Sequence, residues 1–148
     1  MSADIEIEIE RPVEQVWAFA SDLTRLPEWL DEFEEVVKET PGPLGKGTVL
    51  RYTVRPGPRS ATLELVEWEP GRRLGWDGPP LPMAGGGGRP RGWFEVQKLD
   101  EHRTRFLSHY EPELSGPLVL LSPYMRHWLK KQRTADTRRL KELIEASD

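Results

Sequence analysis

Four side chains, Tyr52, Glu67, Ser108 and Tyr110, are candidates to donate or accept a proton in the interior of this protein. Strand periodicity decides which of them look inward. In TRFLSHYE (104–111), Phe106, Ser108 and Tyr110 share one face, while Leu107, His109 and Glu111 share the other. The aromatic face is the expected inner one, so the Ser108 and Tyr110 hydroxyls point inward and His109 outward. A bulge would reverse this. In TVLRYTVR (48–55), Tyr52 shares a face with Leu50 and Val54. Its hydroxyl is a candidate hydrogen-bond donor to a ligand carbonyl, set against a core tyrosine with its tip at the surface. In SATLELVEWE (60–69) both faces carry apolar groups. If Leu63 and Leu65 face inward, Glu67 does too, and burial would raise its pKa towards that of a general acid or base. The alternative leaves Glu67 in water near the strand end, because carboxylates are rarely buried without a partner.

Other chemistries find little support. The chain has no cysteine, which excludes disulfides, a thiolate nucleophile and cysteine-bound zinc or iron–sulfur clusters. Its three histidines make no metal signature: His109 and Glu111 are two apart on one strand face, but a third ligand is missing. His127 stands beside Trp128 in a half of the last helix that can face inward, although a surface histidine is the commoner outcome. No serine sits in a nucleophile elbow. The stretch GPPLPMAGGGGRPRG (78–92) lacks the Lys-Ser/Thr of a phosphate loop, and no helix follows it. It reads as an irregular loop beside an opening, or as a plain connection. No metal and no cofactor is expected.

These groups need a scaffold. DIEIEIE alternates strictly, which sets Ile5, Ile7 and Ile9 on one face of a half-buried strand. Pro12 suits the first turn of a helix carrying Val13, Val16, Trp17 and Ala20, and Ser21 or Asp22 can end it and cap the next. LTRLPEWLDEF gives a second short helix with Leu23, Leu26, Trp29, Leu30 and Phe33 on its apolar side. About six strands follow, joined by short turns such as PGPR (56–59) and PGRR (70–73), and so mostly antiparallel. Residues 117–146 return to helical spacing, through Leu118, Leu121, Met125, Trp128, Leu129, Ala135, Leu140, Leu143 and Ile144. This is one long helix, kinked or started at Pro123, and roughly 40 Å in length. It can cover the middle of a curved sheet, and the two tryptophan-bearing helices close one end. Room is left between sheet and helix.

The chain has 148 residues, which fits one domain over residues 1–148. Its acidic start lacks the basic-then-apolar order of a secretory signal, and GPLVLL (116–121) is far too short to span a bilayer. A cytoplasmic protein without stable membrane insertion is expected. The net charge is −4, distributed as −8 over residues 1–70 and +4 over 71–148. Much of the basic excess lies on RHWLKKQRTADTRRLK (126–141), read as a solvated helix face complementing the acidic half. Nucleic acid is not an expected partner.

The strand before RPVEQVWAFASDLTRLPEW, followed by GKGTVLRYTV, LVEWEPGRRLGW and LSHYEPELSGPLVLL leading into RRLKELIE, resembles the START-like, Bet v 1-like superfamily. Within it the chain is similar to the polyketide cyclase/dehydrase and lipid-transport family, over nearly its whole length. The resemblance implies an α+β helix-grip fold, in which a curved antiparallel sheet of order β-α-α-β6-α wraps a long C-terminal helix. It also implies a small hydrophobic, aromatic, polyketide- or lipid-like ligand held between sheet and helix. The expected wall is Trp29, Phe33, Tyr52, Leu65, Trp76, Phe94, Tyr110, Leu121, Met125 and Trp128. The alternative is a polyketide cyclase or dehydratase that positions a flexible chain and moves protons with Tyr52, Glu67, Ser108 or Tyr110. Cyclase members of the family are thought to use a pocket arginine to polarise carbonyls, and the sequence marks none for that place. A structural domain with a filled core is the third possibility. A monomer or a homodimer is expected.

Overall fold

The computed structural model describes residues 1–55, 59–83 and 86–147. The chain runs through β1 (Ala3–Ile9), α1 (Val13–Ala20), a 3-10 helix (Leu23–Glu28), β2 (Phe33–Lys38), β3 (Val49–Val54) and β4 (Arg59–Glu69). It continues through β5 (Arg73–Asp77), β6 (Leu81–Met83), β7 (Gly86–Arg89), β8 (Arg91–Asp100), β9 (Arg103–Tyr110) and β10 (Glu113–Ser115). A second 3-10 helix (Gly116–Leu121) leads into α2 (Ser122–Ala146). Seven strands form one curled antiparallel sheet in the order β1-β9-β8-β5-β4-β3-β2. Six of the seven follow the short helices, and the sheet grips α2 as the helix-grip expectation requires. No helix among the described residues is long and apolar enough to cross a membrane.

The two short helices differ for a local reason. Ser21 closes α1, and the Asp22 carboxylate accepts the Thr24 backbone N–H at 3.3 Å to open the next turn. Pro27 has no N–H to return to Leu23, and that turn stays 3-10. Their aromatic groups fill the closed end of the sheet. Trp29 is fully buried, with ring centroids 5.5 Å from Phe94 and 6.2 Å from Phe106, and Trp17 meets Trp68 edge-on at 5.5 Å. Each such buried ring contributes about 2–3 kcal/mol through the area it removes from water.

Strand facing follows the alternation expected, with one break. Ile5 and Ile9, Leu50, Tyr52 and Val54, and Phe106, Ser108 and Tyr110 all face in, and His109 faces out to Asp4. In β4 the register against β5 shifts between Leu65 and Glu67. This bulge at Val66 flips the face: Leu65 and Trp68 point to the core, and Glu67 points outward to pair with Arg73. The inward placement considered for Glu67 therefore does not occur.

The 78–92 stretch is not an irregular loop where it is described. β6, β7 and β10 form a second, three-stranded antiparallel sheet in the order β10-β7-β6. Glycine allows it. Gly86 has φ +153°, and a Cβ there would stand 2.0 Å from the Ser115 carbonyl oxygen. Residues 84–85 of this stretch, and 56–58 of the expected PGPR turn, lie outside the described residues.

α2 begins at Ser122 with Pro123 in its first turn, so the proline starts the helix and does not kink it. Its C-terminal half is locked to the domain's first elements. Leu140 and Ile144 are fully buried, Lys141 donates to the Glu8 carbonyl at 2.8 Å, and the Glu145 carboxylate accepts the Glu10 N–H at 2.7 Å. Arg11 donates to the Glu145 carbonyl.

Candidate functional site

Between the concave sheet face and the N-terminal half of α2 lies a cavity of about 200 Å³. Its walls are mostly apolar. Leu23, Leu26 and Leu30 come from the first 3-10 turn and its exit, Phe33, Tyr52, Leu63, Trp76 and Phe94 from the sheet, and Met125, Trp128 and Leu129 from α2. Phe33 stacks on Tyr52 at 5.5 Å, and Trp76 meets Phe94 at 4.8 Å. Arg89 and Arg91 stand at the rim, tied to Asp77 and Glu113; the Arg89 Nη2 to Asp77 Oδ2 distance is 2.7 Å.

The polar end of the cavity is built around Arg133. Its guanidinium is buried and makes a two-carboxylate clamp: Nη1 donates to Asp136 Oδ2 at 3.0 Å, and Nη2 donates to Glu32. The guanidinium carbon also lies 5.1 Å from the centre of the Tyr110 ring, over its face. Asp136 is fully buried; besides Arg133 it accepts the Asp31 N–H at 3.4 Å, and Arg139 is 3.8 Å away. Burial pushes the Asp136 carboxyl above its usual range, against the pull of Arg133. Burial likewise opposes the Arg133 charge, but Glu32, Tyr110 and Asp136 outweigh it and the guanidinium pKa is raised. Two phenols share the space. Burial pushes Tyr110 up to about 12, although Arg133 favours its phenolate, and burial with Glu32 nearby pushes Tyr52 up to about 12. Both remain protonated donors at neutral pH. Tyr110 Oη, Ser108 Oγ and Arg133 Nε are buried without a protein hydrogen-bond partner among the described residues. The Ser108 hydroxyl neighbours Tyr110 Oη and also favours its phenolate, but the pair is not aligned as a hydrogen bond.

Of the wall expected from sequence, Phe33, Tyr52, Trp76, Phe94, Tyr110, Met125 and Trp128 line this cavity. Trp29 and Leu65 do not; both are fully buried behind the wall. Leu121 does not, because the 3-10 turn before α2 rotates it to solvent. Ser108 is buried on the correct face but behind the lining, and Glu67 is on the outer face for the reason given above. His127 is exposed on α2, outside the cavity. Trp93 is on the outer sheet face, stacked between His109 and Arg73. No cluster of three or more His, Asp or Glu able to hold a metal is present among the described residues.

Arg133, Glu32 and Asp136 went unmarked in the sequence, where 126–141 reads as a solvated face. The signal was in the stripe itself. Met125, Leu129, Arg133, Thr137 (or Asp136), Leu140 and Ile144 recur at three- and four-residue steps, so Arg133 falls on the same side as the core leucines.

The family model for polyketide cyclase/dehydrase and lipid transport matches residues 1–145. Among curated proteins, none matches the chain in sequence. Several solved structures share its fold. TTHA0849 from Thermus thermophilus is 22% identical with a TM-score of 0.77, over 99% of this chain and 98% of that one. The Zhui aromatase/cyclase from Streptomyces sp. R1128 is 16% identical with a TM-score of 0.74, over 98% and 93%. Norcoclaurine synthase from Thalictrum flavum, in complex with dopamine and hydroxybenzaldehyde, is 15% identical with a TM-score of 0.70, over 100% and 88%. At these identities the likeness is one of fold. With a family match running nearly end to end, on a sheet that grips its C-terminal helix around a cavity, the chain belongs to the polyketide cyclase/dehydrase and lipid transport family.

Proposed function

We propose that the protein binds a small aromatic or polyketide-like molecule in the cavity between sheet and α2. The observation that carries this reading is the pairing of an apolar, aromatic wall with one polar end, where Arg133 and Tyr110 meet. An apolar wall supplies affinity without direction, and a few polar groups set the ligand's orientation. Three polar groups here are donors, since the Tyr110 and Tyr52 phenols stay protonated and Arg133 is cationic, while the Glu32 carboxylate that also lines the cavity is held by Arg133. The donors suit a ligand oxygen, either a carbonyl or a phenol. The cavity volume of about 200 Å³ fits a compound of one or two rings better than a long acyl chain; drug-sized sites run to roughly 300–1,000 Å³.

A cyclase or dehydratase is the second reading, favoured by the arginine itself. Arg133 beside Tyr110 can polarise a carbonyl and stabilise an enolate oxygen as a chain folds on itself. Tyr110 and Tyr52 are then the proton donors; Glu67, on the outer face, takes no part. Native mass spectrometry of the purified protein, followed by denaturing extraction, tests both readings. A reproducible extra mass from an aromatic or polyketide-like compound is the expected result, and a cyclised product would favour the enzyme. Uptake should fail in a folded Trp128→Arg variant, because Trp128 lines the cavity; normal uptake there would refute this placement of the ligand.

A further inference from the structure

α2 carries three parallel stripes at its N-terminal end. At about 100° per residue, Met125 and Leu129 turn towards the cavity. Beside them Tyr124 and Trp128 turn outward, in line with Leu120 and Leu121 from the preceding turn. Next come His127, Lys130 and Lys131, with Arg126 beyond. The middle stripe is apolar and uncovered: Leu120 is 84% exposed, Tyr124 71% and Trp128 46%. Singly exposed apolar residues are ordinary, but four large ones grouped at one end of a protein mark a contact surface. The charge of this segment itself has one sign, with Asp4 in the hollow beside Arg126, His127 and Lys130 and Glu113 held by Arg89 and Arg91 on the adjoining strand. From Gly116 to Ala135 there is no Asp or Glu, although the whole chain carries −4. Arg126 and Lys131 make no ion pair among the described residues, and Lys130 reaches only the Asp4 carbonyl. The stripe adjoins the cavity, since Trp128 belongs to both.

We infer that this end of the protein docks on an anionic lipid surface, with Leu120, Leu121, Tyr124 and Trp128 entering the interface and the flanking cations lying over the headgroups. An aliphatic tip with an aromatic belt and a basic border is what an interfacial helix presents to a bilayer. The charge argues against the simplest competitor: a two-fold pairing of copies through this stripe would bring two cationic borders together. Leu120 projects from a turn almost wholly into solvent, which suits a deformable apolar medium better than a rigid protein face. Docking here would turn the cavity's α2 wall towards the membrane. The inference does not depend on the ligand reading, because it is tested on protein carrying no ligand.

Co-sedimentation with vesicles tests it, using phosphatidylcholine alone and phosphatidylcholine mixed with phosphatidylglycerol. Binding to the anionic vesicles, weakening as salt rises, is expected. Leu120→Glu combined with Tyr124→Glu should lower it by about a hundredfold or more, from the apolar area lost. Lys131→Gln should lower it about fivefold, one cation's share. These side chains are exposed, and circular dichroism should show both variants folded. Brominated acyl chains should quench wild-type tryptophan emission, and quenching should disappear in Trp128→Phe. Absence of vesicle binding overturns the inference, and so does equal binding to neutral vesicles. Light scattering that shows a wild-type dimer broken by Leu120→Glu would assign the stripe to a second copy and overturn it too.

Discussion

Arg133 balances two carboxylates, and so its removal costs more than its contacts contribute. Breaking a buried charge pair leaves the partner charge unsolvated, typically at about 3–5 kcal/mol. Arg133→Met should therefore lower unfolding free energy by about that much in urea, because Asp136 is fully buried and Glu32 is largely so. The triple variant Arg133→Met, Glu32→Gln, Asp136→Asn removes all three charges and should recover most of the loss. If single and triple variants are equally unstable, the cost lies in packing and not in charge. The buried phenols give a second test at this scale. Tyr52 and Tyr110 ionise near 12 in the fold and near 10 when unfolded. The folded state thus keeps protons that the unfolded state releases between those values, and stability falls as pH rises through that window. Each phenol accounts for about 2–3 kcal/mol of the fall. Alkaline unfolding followed by circular dichroism should therefore begin near pH 10, with the phenolate absorbance of these two tyrosines rising together with it. Tyr110→Phe should flatten the decline by its share, and an unchanged profile would contradict the burial assigned to Tyr110.

The element scale shows what the sequence made legible and where its rules failed. Alternation located the inner faces of β1, β3 and β9 because none of the three carries an extra residue of its own; the shifts in their ladders fall on β2 and β8. It failed in β4, where LELVEW has apolar groups on both parities and one bulge decides the outcome. Nothing local marks that bulge. It is selected across the sheet, because only the flipped parity brings Trp68 onto Trp17. The GGGG stretch misled for the opposite reason: glycine's freedom reads as irregularity, yet here it allows β7 to approach the turn at Ser115. Likewise Arg133 looked like one more exposed basic residue, since its partner Glu32 is remote in sequence. Deleting Val66 tests the bulge directly. It leaves Leu65, Glu67 and Trp68 opposite Trp76, Gly75 and Leu74 in unbroken register with both facings kept. It should cost much less than Trp68→Ala, which should cost about 3 kcal/mol, the low end of the usual loss for removing a large aromatic because Trp68 is half-buried. Val66→Ser, at an exposed position, should change stability by no more than about 0.5 kcal/mol. A loss on deleting Val66 as large as that of Trp68→Ala would mean that the β4 facing described here is wrong.

On the scale of the molecule, α2 is one helix with two different attachments. Its second half is pinned by Leu140, Ile144, Lys141 and Glu145 to β1 and the loop after it. Its first half spans the cavity, resting on Leu129 and Arg133 while Tyr124 and Trp128 face solvent. Few buried apolar contacts and a cavity beneath are the conditions for opening at low free energy, while the pinned half opens only with the global fold. Hydrogen exchange should therefore be graded along a single continuous helix. Amides of 126–130 should exchange well before those of 137–145, although both are in regular α-helical hydrogen bonds. A ligand that binds the folded state alone stabilises it by about 2.7 kcal/mol at a hundred times its dissociation constant. If that ligand fills the cavity, the added protection should appear first at 126–130, where it supplies the missing packing, and the pinned half should change only as global stability rises. Uniform protection along α2, with and without the extracted compound, would mean that the helix opens as one unit and that the cavity wall is as rigid as the core.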